Sequence, residues 1–126
     1  MTELSGGERA RIMLARALAV EAPLLLADEP VAALDPEHQL TVMGLLRHVA
    51  ATGRTVVACL HELTLAARFA DRVVVIAGGR IDADGPGDQV LGTQLLRRVF
   101  HVDAAYLEYG GKTVIVPWST EADSRR

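Results

Sequence analysis

The stretch Leu24-Leu25-Leu26-Ala27-Asp28-Glu29-Pro30 decides the fold. An unbroken apolar run closed by two carboxylates and a proline reads as a strand buried on both faces of a parallel sheet, ending where its acids begin. Parallel α/β sheets bind ligands beyond the carboxyl ends of their strands, so Asp28 and Glu29 stand where chemistry can take place. Downstream, Thr55 to Leu60 repeats the pattern as a second buried strand and ends in His61. A turn or helix cap explains either acid alone, and a satisfied strand-end histidine explains His61 alone. Taken together, three polar groups at two strand ends can converge on one ligand.

Helices frame these strands. Upstream, Ser5 followed by Glu8 forms a capping box, and Ile12, Ala15, Leu18 and Ala22 recur at helical spacing until Pro23 stops them. Between the strands, Asp35 before Pro36 is a cap with proline in the first helical position, and Leu40, Met43, Leu46 and Ala50 supply a buried stripe up to Gly53. Leu63, Ala66, Ala67 and Ala70 mark a third helix. Beyond it, Gly78-Gly79 and Gly110-Gly111 turn two hairpins, with a short helix around Leu95, Leu96, Val99 and Phe100. Residues 119–126 are polar and expected to fray. The fold class is therefore α/β: parallel strands with flanking helices, plus carboxyl-terminal β-hairpins.

Bulk properties bound the function. At 126 residues the chain is the size of one domain, and its net charge of −3, with no basic stretch, argues against nucleic acid as a partner. The apolar runs fall far short of the roughly 20 residues that span a bilayer, which places the chain itself in the cytosol. A lone Cys59 in an apolar run reads as an inert core residue.

The amino end of a helix exposes unpaired N–H groups and binds anions, and glycines let a phosphate approach closely. Ser5, Gly6 and Gly7 meet that need, although a plain capping box explains them equally well in isolation. The ordered set Leu4-Ser5-Gly6-Gly7-Glu8, Leu24 to Pro30, Ala33-Leu34-Asp35 and His61 resembles the second half of an ATP-binding-cassette (ABC) ATPase, a P-loop NTPase fold, with signature, Walker B strand, D-loop and switch histidine in order. The resemblance covers nearly all the chain, with residues 1–118 as the carboxyl-terminal part of a nucleotide-binding domain and 119–126 as a tail.

The resemblance implies ATP and Mg²⁺ as ligands. Ser5, Gly6, Gly7 and Glu8 would form the signature that meets ATP held by a second ABC ATPase subunit. Asp28 would hold Mg²⁺ through water, Glu29 would be the general base, His61 would contact the terminal phosphate, and Asp35 would couple the two sites. Ala10, Ala33 and Glu62 depart from residues usual in the family and remove no catalytic group. A P-loop should precede Leu4, where three residues stand, so the P-loop half is expected to be missing and the isolated chain to be inactive. Gly111-Lys112-Thr113 looks like a P-loop end, but Tyr106 replaces the first glycine and the segment leads into a strand.

Leu65 to Arg72, Gly79-Arg80-Ile81, Gly85-Pro86 and Leu95 to Asp103 are similar to ATPases that import iron chelates (siderophores, haem) and cobalamin. Such a subunit works at the cytoplasmic face of the inner membrane, with transmembrane permease subunits and a periplasmic or lipoprotein substrate-binding protein. The alternative expectation is a non-catalytic partner or regulatory module that supplies its signature in trans to a complete ATPase subunit.

Overall fold

The computed structural model describes residues 6–126, with side-chain surroundings assigned from Glu8 onward except for Ala10. Leu4 and Ser5 of the expected signature lie outside the described residues. The chain divides into two compact units, Met1–His61 and Glu62–Arg126.

The first unit is built on helix α1 (Gly6–Ala19), strand β1 (Leu24–Asp28), helix α2 (Pro36–Ala51) and strand β2 (Thr55–Cys59). β1 and β2 pair in parallel from Leu24↔Thr55 to Asp28↔Cys59, and the connection between them is α2, as a parallel pair requires. Backbone bonds continue the ladder beyond both ends, Thr55 N–H to the Pro23 carbonyl at 2.9 Å and Glu29 N–H to the Cys59 carbonyl at 3.0 Å. α2 starts where Asp35 caps it and Pro36 fits its first turn.

Its buried stripe is Val42, Met43, Leu46 and Val49, whereas the expected Leu40 is 45% exposed. A 3.6-residue period leaves two adjacent stripes open in an apolar-rich helix, and packing against β2 and α1 selects between them. Burial of β1 and β2 on both faces is also corrected. Leu24 and Leu26 are 49% and 70% exposed and Val57 is 47% exposed, so alternate residues form an open apolar face. Cys59 lies at the end of that alternation and is exposed rather than a core residue. Ile12, expected on a buried stripe of α1, is 46% exposed.

The second unit has its own core: Val73, Val75, Val90, Leu91, Leu95, Leu96 and Ile115. Helix α3 (Leu63–Phe69) presents Leu63, Ala66 and Ala67 to it. Strands β3 (Val73–Ala77) and β4 (Arg80–Gly85) form an antiparallel hairpin at Gly78-Gly79, both with positive φ, the geometry of a tight two-residue turn. Short helices α4 (Gly87–Val90) and α5 (Thr93–Leu95) lead into a π-helical turn, Leu96–Phe100, which His101 closes in the left-handed region. Strands β5 (Val102–Tyr109) and β6 (Lys112–Thr120) form the second hairpin. Thr64 ties α3 to β6 by donating to the Ile115 carbonyl and accepting from the Ile115 N–H, each at 2.9 Å.

Two expectations about this unit resolve differently. Lys112 and Thr113 begin β6 directly after the turn, so the P-loop look-alike is a hairpin. The stretch 119–126, by contrast, is not frayed. β6 runs through Thr120, and helix α6 (Glu121–Ser124) follows it with a reciprocal capping box between Thr120 and Asp123.

Candidate functional site

The carboxyl ends of β1 and β2 bring two expected residues into contact. Glu29 leaves β1 with its backbone N–H still paired to β2, which fixes its Cα beside the segment that carries His61. Its side chain Oε1 lies 2.5 Å from His61 Nε2, a hydrogen bond in which the ring N–H donates to the carboxylate. Glu29 is 47% and His61 80% exposed, so the pair faces outward. Glu29 also has φ 49, a left-handed conformation uncommon for a residue with a side chain. Such backbone strain concentrates at functional sites, where the surrounding structure enforces it. Here the ladder bond on one side and the turn bond from Ala32 N–H to the Glu29 carbonyl, 3.2 Å, hold it.

Asp28 precedes this pair at the exposed end of β1 and shares its register position with Cys59. Among the described residues no three His, Cys, Asp or Glu side chains group to hold a metal ion by themselves. A lone carboxylate suits Mg²⁺, which is bound by one or two carboxylates together with phosphate oxygens and retained water. Asp28 fits that donor pattern.

The loop from Glu29 to α2 is held along its length. Val31, 1% exposed, anchors it in the core of the first unit, and its carbonyl accepts the Gln39 side-chain N–H at 3.4 Å. Ala33 is left-handed, with φ 60, and Leu34 N–H bonds the Val31 carbonyl at 3.3 Å. At the loop's far end Asp35 Oδ1 accepts the His38 backbone N–H at 2.9 Å and lies 2.6 Å from His38 Nδ1. Those two bonds, the backbone one first, hold the Asp35 carboxyl below its ordinary range.

The structure thus joins Glu29 with His61 and sets Asp28 beside them in sequence, while it engages Asp35 as the cap of α2. Gly6, Gly7 and Glu8 form the first turn of α1. Neither His38 nor Gln39 stood among the residues expected from the sequence. The signal was present in the spacing, since His38 stands three residues after the cap, where a side chain can reach back.

Comparisons with known proteins bear on this arrangement. A family model described as ABC transporter matches residues 1–32. The Hemin import ATP-binding protein HmuV of Rhodococcus jostii is 50% identical over 118 residues, covering 92% of this chain and 40% of that protein. The Cobalamin import ATP-binding protein BtuD of Halobacterium salinarum is 47% identical over 106 residues, 83% of this chain and 27% of that protein. Among solved structures, one described as an inward-facing, metal-chelate type ABC transporter has a TM-score of 0.80 at 30% identity, over 91% of this chain and 48% of its own. The dimeric ATP-binding cassette MJ0796 bound to ADP and Pi has a TM-score of 0.59 at 37% identity, over 66% of this chain and 36% of its own. The chain spans less than half the length of each of these relatives.

Proposed function

We propose, from the premise that this chain belongs to the ABC transporter ATP-binding subunits, that it forms part of the ATPase of an importer for hemin or a related metal chelate. The observation that carries this reading is the Glu29–His61 contact at the carboxyl ends of two parallel strands. In the hydrolysis of ATP, Glu29 takes the proton of the attacking water as general base. His61 holds the Glu29 carboxylate in place through its Nε2–H and, 80% exposed, can turn that N–H toward a terminal phosphate. Asp28 is the residue that would hold Mg²⁺, which when bound neutralises developing charge on the phosphates.

Asp35 couples the site to that of a second subunit, and the first turn of α1, with Gly6 and Gly7, lends its N–H groups to the phosphate bound by that partner. The assembly is a pair of such subunits under a membrane-spanning permease, at the cytoplasmic face, fed by a substrate-binding protein. None of the described helices is long and apolar enough to cross a membrane. The similarity to hemin and cobalamin importers supports this substrate class, and we extend it to siderophores as metal chelates of the same kind.

The test uses an intact subunit, the Rhodococcus jostii protein with its matching segment replaced by this chain. In cells lacking their own hemin-import ATPase, it is expected to restore growth on hemin as sole iron source. Active ATP hydrolysis without uptake of hemin, siderophore or cobalamin would refute the importer assignment. Hydrolysis only when an unmodified subunit is added would instead identify a signature-supplying partner.

A further inference from the structure

The geometry points to His38 as a positioning residue that fixes the Asp35 carboxylate and thereby sets the coupling between paired ATP sites. The inference rests on the proposed role of Asp35 at the interface between subunits.

An ordinary capping box uses the third helical residue to reach back to the backbone N–H of the cap, which satisfies a second orphan donor. His38 occupies that third position and does something else. Its Nδ1 meets Asp35 Oδ1 at 2.6 Å, the same oxygen that already accepts the His38 backbone N–H at 2.9 Å. The helix needs only the backbone bond for its cap. The ring bond satisfies no further helix donor, and its effect falls on the direction of the carboxylate. Both donors land on Oδ1, so the carboxylate is clamped at one oxygen and presents Oδ2.

Exposure agrees with this division of labour. The His38 side chain is 25% exposed and the Asp35 side chain 59%, so the ring is tucked in and the acid faces out. Gln39, the next residue, binds the Val31 carbonyl of the same loop. The first turn of α2 therefore fastens the loop between Glu29 and Asp35 at two points, while β2 and His61 fasten its other end. Within residues 29–35 a change in Asp35 has a short, tethered route to Glu29. Coupling of this kind needs an element with defined positions at both ends, which the tethers provide.

The experiment compares His38→Leu, His38→Asn and Asp35→Ala in the intact chimeric subunit reconstituted with its permease, by ATP-concentration dependence of hydrolysis and by ATP binding. Leu fills much of the ring's volume without donating, and Asn can still offer an N–H. The expected result is that His38→Leu lowers the Hill coefficient from about 2 toward about 1 and slows turnover about 5-fold or more, with ATP affinity retained. His38→Asn is expected to keep the parent behaviour, and Asp35→Ala to match His38→Leu. Parent-like cooperativity in His38→Leu, with cooperativity lost in Asp35→Ala, overturns the role of His38 and leaves that of Asp35 standing. Equal loss in the Leu and Asn variants reduces His38 to a packing residue and also overturns it. Parent-like cooperativity in Asp35→Ala removes the role of Asp35, and the inference with it.

Discussion

At the scale of single residues, the first turn of α2 carries a charge effect that can be measured apart from catalysis. Asp35 has its carboxyl depressed by the backbone and ring N–H groups of His38. A depressed folded-state value means that the unfolded state binds more protons in acid, so the stability contributed by the charge is present above the unfolded value, about 4, and is lost as pH falls through the folded one. Asn at the same place still caps the helix but carries no charge. The melting temperature of the parent is therefore expected to exceed that of Asp35→Asn by a constant margin between pH 5 and 7, roughly the plateau above the carboxylate range. The margin should shrink below about pH 4. A margin unchanged down to pH 3, about a unit below the ordinary carboxylate value, would mean that the charge does not stabilise the cap. Asp35 was legible as a cap from the Asp-Pro pair alone. His38 was not, because a histidine side chain reaching an acid three residues earlier has no compositional signature, only a spacing.

Among elements, packing contacts set the energetics of the second unit. Leu96 has 0% of its surface exposed, in the π-helical turn that packs into the core. Its replacement by Ala removes buried methyl groups and leaves a void, a loss of about 2–5 kcal/mol. Gly87 is a different case. A Cβ there would stand 3.1 Å from the Ala67 Cα and 3.3 Å from the Val73 Cγ2, so α3 and α4 approach too closely for a side chain. Gly87→Ala is expected to cost about 1–3 kcal/mol through overpacking. Equilibrium urea unfolding checks both, and a Gly87→Ala midpoint equal to the parent's would show that α3 can give way.

Element identities were read well wherever local chemistry decides them. Both hairpins turn on glycine pairs with positive φ, and α2 starts on Asp35-Pro36. The π-helical turn and the order of residues 119–126 were not read. A π-turn differs from an α-turn by one hydrogen-bond step that residue types do not encode, and the Thr120–Asp123 capping box was lost in an otherwise polar stretch. The buried faces of α1, β1 and β2 were misjudged for a third reason. Apolar periodicity says that a face seeks cover, and the covering surface has to come from elsewhere in space.

For the molecule as a whole, the open faces have a consequence in solution. Leu26, at 70%, and Val57, at 47%, expose apolar surface on the β1–β2 pair, and Met13 in α1 and Val20 just after it are 64% and 74% exposed. Uncovered apolar faces and strand edges associate. Sedimentation velocity of the 126-residue chain is expected to show concentration-dependent self-association, weakened in a Leu26→Lys/Val57→Lys double variant. A monomer at every concentration would contradict that use of the face.

The Glu29–His61 pair is the centre of the functional account, and its two residues were visible in the sequence as strand-end polar groups. Their contact was not, since it depends on the register that sets Asp28 opposite Cys59. The most direct test measures ATP hydrolysis and ATP binding side by side in the intact chimeric subunit carrying Glu29→Gln. Removal of a general base predicts turnover lower by about 100-fold or more, with nucleotide affinity kept. Turnover within a few-fold of the parent would contradict the assignment of Glu29, and with it the hydrolytic reading of the site.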